Sequence, residues 1–142
     1  MKKGLLVLLS SLLLSTVSLA NENSAKGLNV IITSEDAQTQ MMGMALSMMT
    51  LKQNKEVNMT LCSKAGDLAV KGMESPILKP QDKSPKMMLQ ALMKQGAKVK
   101  VCPLYLPNAS KDESVLLEGI TVAKPAEVAS SLLNKDYQNL SY

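Results

Sequence analysis

The stretch that decides the fold is residues 84–102, which read SPKMMLQALMKQGAKVKVC. Its opening Ser-Pro pair is typical of the cap and first turn of a helix, and Gly96 is typical of a helix end. The alternation from Lys98 to Cys102 predicts a β-strand, and Pro103, which has no backbone N–H, ends it. The stretch therefore predicts a helix that leads directly into a strand.

The same succession of helices and strands continues on both sides of this stretch. Before it, we expect strands over 28–33 and 57–62, a helix over 36–53, a short helix over 65–70 and a loop over 73–84. After it, we expect a loop over 104–111, helical turns over 112–117, strands over 120–122 and 138–141, and a helix over 125–133. Strands that alternate with helices predict one α/β domain with a largely parallel sheet and helices on both faces.

The apolar residues of helix 36–53 repeat with helical spacing, and we expect their side of the helix to face the core. They are Met41, Met42, Ala45, Met48 and Met49. Thioether sulfur is also a copper(I) ligand. The spacing favours core packing instead, because Met fills irregular gaps in a core that has no Phe.

The composition excludes several classes of function. The 142 residues contain no His and only two Cys, so neither a Cys-His or Ser-His-Asp catalytic site nor a four-Cys or Cys-His zinc site can form within the chain. The net charge of +4 is small, and three Tyr are the only aromatic residues, so we expect no nucleic acid partner. We also expect no bound cofactor.

The first 20 residues have the pattern of a bacterial secretion signal. A basic start precedes a Leu-rich run over 4–14, and Ser18-Leu19-Ala20 places small residues before a cleavage site. The apolar run is too short for a comfortable membrane span. We therefore expect cleavage after Ala20, a single mature domain over 21–142, a periplasmic location and no membrane attachment after cleavage.

The two cysteines, Cys62 and Cys102, are each expected to be the last residue of a strand. In a parallel α/β sheet, ligands bind beyond the carboxyl ends of the strands, where loop amides and helix N-termini favour a thiolate. Lys64, Lys98 and Lys100 lie close to them in sequence and could favour the thiolate further. The competing interpretation is that a cysteine at a strand end is a small buried hydrophobic residue.

Four stretches of the chain carry a resemblance to a known family. VCPLYLPN at 101–108 follows a Gly-ended helix and an alternating strand, and MALSMMTLK at 44–52 lies in the first expected helix. LEGITVA at 117–123 and NLSY at 139–142 contain the fourth and fifth expected strands. These stretches resemble the corresponding segments of the DsrE-like family of small sulfur-relay proteins.

The resemblance covers nearly all of residues 21–142 and carries several implications. It implies a three-layer α/β/α fold around a five-stranded, mainly parallel sheet, and assembly into homo-oligomers, often trimers or hexamers. In relay members of the family, the cysteine at the position of Cys102 carries sulfur as a persulfide. Those members are cytoplasmic, so secretion would separate this chain from their partners and leaves its sulfur donor and acceptor unidentified.

Three hypotheses about function follow. The first is that Cys102 handles sulfane sulfur or thiols. The second is a non-catalytic binding or assembly module whose cysteines are structural, and the third is a weak copper(I) binder that uses Cys and Met. Under the first, adjacent strands about 4.8 Å apart would let Cys62 and Cys102 form a reversible disulfide, with Cys62 as the resolving thiol. The alternative is that Cys62 is buried packing and Cys102 acts alone.

Overall fold

The computed structural model describes residues 24–142, and the expected signal sequence lies outside them. The strands are β1 (Gly27–Ile32), β2 (Glu56–Leu61), β3 (Lys98–Val101), β4 (Thr121–Val122) and β5 (Tyr137–Ser141). The helices are α1 (Ala37–Lys52), α2 (Pro85–Lys94), α3 (Tyr105–Asn108) and α4 (Pro125–Leu132). Two 3₁₀ segments cover Ser63–Ala69 and Glu113–Val115.

The five strands form one sheet in the order β4-β3-β2-β1-β5, and every neighbouring pair is parallel. The parallel sheet expected from the alternation of helices and strands is therefore confirmed. All strands end at the same edge of the sheet, which is the edge where such folds bind their ligands.

Helices cover the two faces of the sheet unequally. On one face, α1 and α2 pack side by side over a buried apolar layer that includes Ile32, Met59 and Val101. The side chain of Asn29 lies on the opposite face, where it donates a hydrogen bond to the carbonyl oxygen of Ser131 in α4. Since α4 has no fully buried residue, the third layer of this α/β/α fold is thin.

The side of α1 that faces the core differs from the predicted one. Met48 is buried as expected, but Met42 and Met49 are 53% and 47% exposed. The buried side instead includes Gly43 and Ser47, small residues that let the helix lie close to the sheet. A Cβ atom on Gly43 would be 2.9 Å from Ile32 Cδ1, which shows how tight this contact is. Apolar residues occur on both the buried and the exposed side of α1, so their spacing could not by itself show which side faces the core.

The segments that follow the strands are more regular than the sequence predicted. The expected loop over 104–111 contains the short helix α3, and the expected helix over 65–70 is the 3₁₀ segment Ser63–Ala69. Helix α2 begins as predicted, because the Ser84 hydroxyl accepts a hydrogen bond of 3.2 Å from the backbone N–H of Met87. Within residues 24–142, no helix is both long enough and apolar enough to cross a membrane.

Candidate functional site

The two cysteines lie opposite each other at the carboxyl edge of the sheet. Each follows the last residue of its strand by one position, rather than ending the strand as predicted. Leu61 of β2 pairs with Val101 of β3, so the next residues along, Cys62 and Cys102, continue the same register. The backbone N–H of Cys102 donates a 2.8 Å hydrogen bond to the Leu61 carbonyl, which keeps the two strands paired up to the cysteines. Both thiols are free and half-buried.

A pocket of about 470 Å³ opens beside the two thiols. The segments that follow each cysteine supply the rest of its lining, which includes Ser63, Lys64, Leu104 and Asn108. The pocket therefore brings together two stretches that are about 40 residues apart in sequence, because parallel strands all end at one edge. A small molecule that enters the pocket can reach both sulfur atoms.

The environment of Cys62 strongly favours its protonated form. Burial in the pocket wall, together with hydrogen bonding to Cys102 and the negative charge of that neighbour, raises the pKa of Cys62 to about 12. A negative charge on one sulfur opposes a second charge on the adjacent sulfur. Cys62 is therefore a thiol and a proton donor at neutral pH.

Tyr105 and Asp67 hold the two walls of the pocket together. The Tyr105 hydroxyl donates a 2.6 Å hydrogen bond to Asp67 Oδ1, and the two residues are 38 positions apart. Burial, the hydrogen bond to Asp67 and the charge of that carboxylate all raise the pKa of Tyr105, so the hydroxyl stays a donor. Sequence reasoning missed this pair: Tyr105 lies in the stretch 101–108 quoted above, but no local signal connects it with Asp67, and only the fold brings the two together.

Gly66 makes the position of Tyr105 possible. A Cβ atom on Gly66 would lie 2.3 Å from Cδ2 and 2.4 Å from Cγ of the Tyr105 ring. Only a residue without a side chain leaves room for the ring to lie on the backbone of the 3₁₀ segment. The ring is 6% exposed, so it cannot swing away into solvent without opening the pocket wall.

The backbone turns sharply immediately after Cys62. Ser63 has a φ of 50°, in the left-handed region that residues other than glycine avoid. Holding such a residue costs of order 1–3 kcal/mol and is common beside functional sites. The turn directs the chain from β2 into the 3₁₀ segment and places the Ser63 and Lys64 side chains at the pocket.

Of the three lysines singled out by sequence, only Lys64 lines the pocket. Lys98 lies 3.5 Å from a Glu56 carboxylate oxygen, and Lys100 lies 2.8 Å from a carboxylate oxygen of Glu127 in α4. Both are on the α4 face of the sheet, and each charge is offset by a carboxylate. The expectation that Lys98 and Lys100 act on the thiols therefore has no support in the geometry.

The methionines do not contribute to the thiol pocket. No Met lines the thiol pocket, and Met44 and Met48 are buried in the core against the sheet. Among residues 24–142 there is no group of three or more Cys, Asp or Glu side chains placed to hold a metal ion. The lining of the thiol pocket therefore gives no support to the third hypothesis, a copper(I) site that combines Cys with Met.

A second, smaller cleft of about 230 Å³ lies between α4 and the sheet. Its floor contains Asn29, which is buried and makes four side-chain hydrogen bonds. Its amide donates to the Ser131 carbonyl and to Asn139 Oδ1, and its oxygen accepts from the Asn58 amide and the Ser131 hydroxyl. Because these hydrogen bonds are all satisfied within the protein, the network is best explained as the attachment of α4 to the sheet.

Three solved structures share this architecture. The ychN protein of E. coli matches with a TM-score of 0.68 at 20% identity, over 83% of this chain and 99% of that one. MTH1491 of Methanobacterium thermoautotrophicum, a protein of unknown function, matches with a TM-score of 0.61 at 13% identity, over 82% of this chain and 98% of that one. BT1422 of Bacteroides thetaiotaomicron, also of unknown function, matches with a TM-score of 0.61 at 15% identity, over 82% of this chain and 95% of that one.

No protein-family model and no curated protein sequence matches the chain. The structural matches define the class, an α/β/α domain with a five-stranded parallel sheet, and they span nearly the whole length of each matched protein. The α/β/α fold around a five-stranded parallel sheet that is expected from the sequence is therefore confirmed. At these identities the likeness concerns the fold and not the chemistry of the pocket.

Proposed function

We propose that this protein handles sulfane sulfur through Cys102, which accepts a sulfur atom and holds it as a persulfide. The observation that most supports this role is the half-buried Cys102 thiol in a pocket of about 470 Å³ at the carboxyl edge of the sheet. Sulfur transfer requires a thiolate that a substrate can reach, whereas a thiol enclosed in a core is inert. The sequence resemblance to DsrE-like relay proteins points to the same residue.

The sulfur-accepting step is a thiol exchange. The Cys102 thiolate attacks the outer sulfur of a persulfide donor, R–S–SH, and a new S–S bond forms as the S–S bond of the donor breaks. The products are the Cys102 persulfide and the thiolate R–S⁻, so atoms and charge balance and no oxidant is consumed. An acceptor thiolate removes the sulfur by the same reaction in the opposite direction. The chain has no His, so the reaction depends on the thiolate of Cys102 itself.

Mass spectrometry of the reduced protein tests this proposal. After brief exposure to glutathione persulfide, we expect the protein to gain the mass of one sulfur atom, and peptide mapping should place that atom on Cys102. Cys102→Ser should gain none, while Cys62→Ser, the matched control, should still gain one. Sulfur uptake that is unchanged in Cys102→Ser would refute the role of Cys102.

The same experiment separates the proposal from a binding module with a structural disulfide. The facing positions of Cys62 and Cys102 would also suit such a disulfide. A structural disulfide would be fully formed in protein taken from cells, and the protein would show no sulfur uptake once it is reduced. Sulfur uptake by the reduced protein therefore distinguishes the two functions.

We propose that this activity is periplasmic, after removal of residues 1–20. The proposal rests on the basic start, the apolar run and the small residues that precede Asn21. The mass of the protein isolated from cells should correspond to a chain that begins at Asn21. A protein that retains Met1 would contradict this.

We also propose that the chain assembles into a homo-oligomer, a trimer or hexamer as the family resemblance implies. An exposed apolar stripe on α1, formed by Met42, Leu46 and Met49, supports self-association. The only charged residue of α1 is Lys52 in its last turn, which is unusual for a helix that faces water. Leu46→Lys should shift the sedimentation coefficient to that of a monomer, and Ala126→Lys, on exposed α4, should not. A wild-type monomer at micromolar concentration would contradict assembly.

A further inference from the structure

We propose that Cys62 discharges the persulfide of Cys102 within the same chain, which releases hydrosulfide and leaves a Cys62–Cys102 disulfide. This inference rests on the proposed function, because Cys102 must first receive a sulfur atom. It adds a second activity: the protein reduces sulfane sulfur to sulfide rather than only carrying it. A dithiol reductant then opens the disulfide and restores both thiols.

The register of the sheet brings the two reacting sulfurs together. Cys62 and Cys102 follow the paired residues Leu61 and Val101, so they are direct neighbours across two parallel strands. Adjacent strands lie about 4.8 Å apart, and a disulfide spans Cα distances of about 4.4–6.8 Å. The two thiols also interact directly, since the charge of one acts on the other. The spacing of neighbouring strands therefore falls within the range that a disulfide spans.

The reaction balances without any other group. Cys62–SH and the perthiolate Cys102–S–S⁻ give Cys62–S–S–Cys102 and HS⁻. The Cys62 sulfur attacks the inner sulfur, which is the Cys102 Sγ atom, and the bond from Sγ to the outer sulfur breaks. The proton of Cys62 moves to the departing outer sulfur. The Cys62 sulfur is oxidised, the outer sulfur is reduced to sulfide, and Cys102 Sγ exchanges one S–S bond for another.

Several features of the thiol pocket favour departure of the outer sulfur. The space of about 470 Å³ beside the thiols has room for the outer sulfur atom and a path to solvent. The exposed Lys64 side chain lines this space and carries a positive charge next to the site where HS⁻ forms. Pro103, directly after Cys102, has no backbone N–H to hold the outer sulfur in place. These features favour release of the sulfur as sulfide.

Protonation of Cys62 sets the speed of this step. Burial and the neighbouring Cys102 raise the pKa of Cys62 to about 12, so the thiol attacks slowly at neutral pH. Once Cys102 carries a persulfide, the negative charge lies on the outer sulfur, one atom beyond Cys102 Sγ. This outer sulfur is the atom that accepts the proton of Cys62. The persulfide therefore has a lifetime in which an external acceptor can compete with the Cys62 thiol.

A single-turnover experiment tests the inference. The reduced full-length protein is treated briefly with glutathione persulfide, desalted quickly, and followed by intact mass and by trapping of free sulfide with monobromobimane. The wild-type protein should lose the added sulfur together with two hydrogens, which leave as one sulfide per chain, so that its mass becomes that of the disulfide form. Cys62→Ser should keep the added sulfur at least about tenfold longer and release no sulfide. Cys62→Ala provides a second variant in case serine perturbs folding, which circular dichroism would reveal.

The outcomes separate this inference from the function on which it rests. If the wild-type protein keeps its persulfide as long as Cys62→Ser does, the discharge step is wrong and the carrier role stands. If neither protein takes up sulfur on Cys102, the proposed function itself is wrong. If sulfide is released without formation of a Cys62–Cys102 disulfide, an external thiol performs the step and the inference fails.

Discussion

Substitution of Gly66 by Ala tests how the thiol pocket is held together. The new Cβ atom would lie 2.3 Å from Cδ2 and 2.6 Å from Cε2 of Tyr105, well inside van der Waals contact. The ring is buried and its hydroxyl is bonded to Asp67, so relief of the clash requires the ring to shift and its hydrogen bond to weaken. Overpacking of this kind costs about 1–3 kcal/mol. We expect Gly66→Ala to lower the free energy of unfolding by that amount.

Urea denaturation measures this loss, and a double-mutant cycle identifies its cause. In a Tyr105→Ala background the clash has no partner, so Gly66→Ala should change the free energy of unfolding by less than about 0.5 kcal/mol. Tyr105→Phe keeps the ring and should leave the cost of Gly66→Ala largely unchanged. Equal costs of Gly66→Ala with and without the ring would refute the reasoning, as would a fully stable single variant.

Three further predictions concern other parts of the molecule. The rate of alkylation of Cys62 by iodoacetamide should rise about tenfold per pH unit from pH 8 to 10, because its pKa of about 12 lies above that range. The rate for a free cysteine stops rising near its pKa of about 8.5. A plateau at that pH for Cys62 would contradict the prediction. Ser84→Ala removes the cap of α2 and should lower the free energy of unfolding by about 0.5–2 kcal/mol in urea titrations, whereas Ser130→Ala, at an exposed position of α4, serves as the control and should not. Asn29→Ala leaves buried partners of α4 unsatisfied and should cost about 1–3 kcal/mol, with faster hydrogen exchange in α4; unchanged exchange there would show that the helix is held by other contacts.

Local chemistry allowed much of the fold to be predicted. The Ser-Pro start of α2, the glycine that ends it and the alternation in β3 act over a few residues, so the sequence shows them directly. The same holds for the succession of strands and helices that predicts a parallel sheet. Errors occurred where local signals are weak, as in the buried side of α1, whose apolar residues occur on both its buried and its exposed sides, and in the short helix α3.

Some features of the candidate site could likewise be predicted from the sequence, and others could not. Both cysteines could be placed at strand ends from sequence, and parallel strands share their carboxyl edge, so their meeting at one edge was predictable. Their register could not be predicted, because pairing between β2 and β3 depends on contacts along the whole sheet. The hydrogen bond between Tyr105 and Asp67 spans 38 positions, and the space that Gly66 leaves for the ring has no local signature. Periodicity and helix capping depend on residues that are close in sequence. The facing positions of Cys62 and Cys102, and the packing of the Tyr105 ring against Gly66, exist only once distant segments of the chain have packed together.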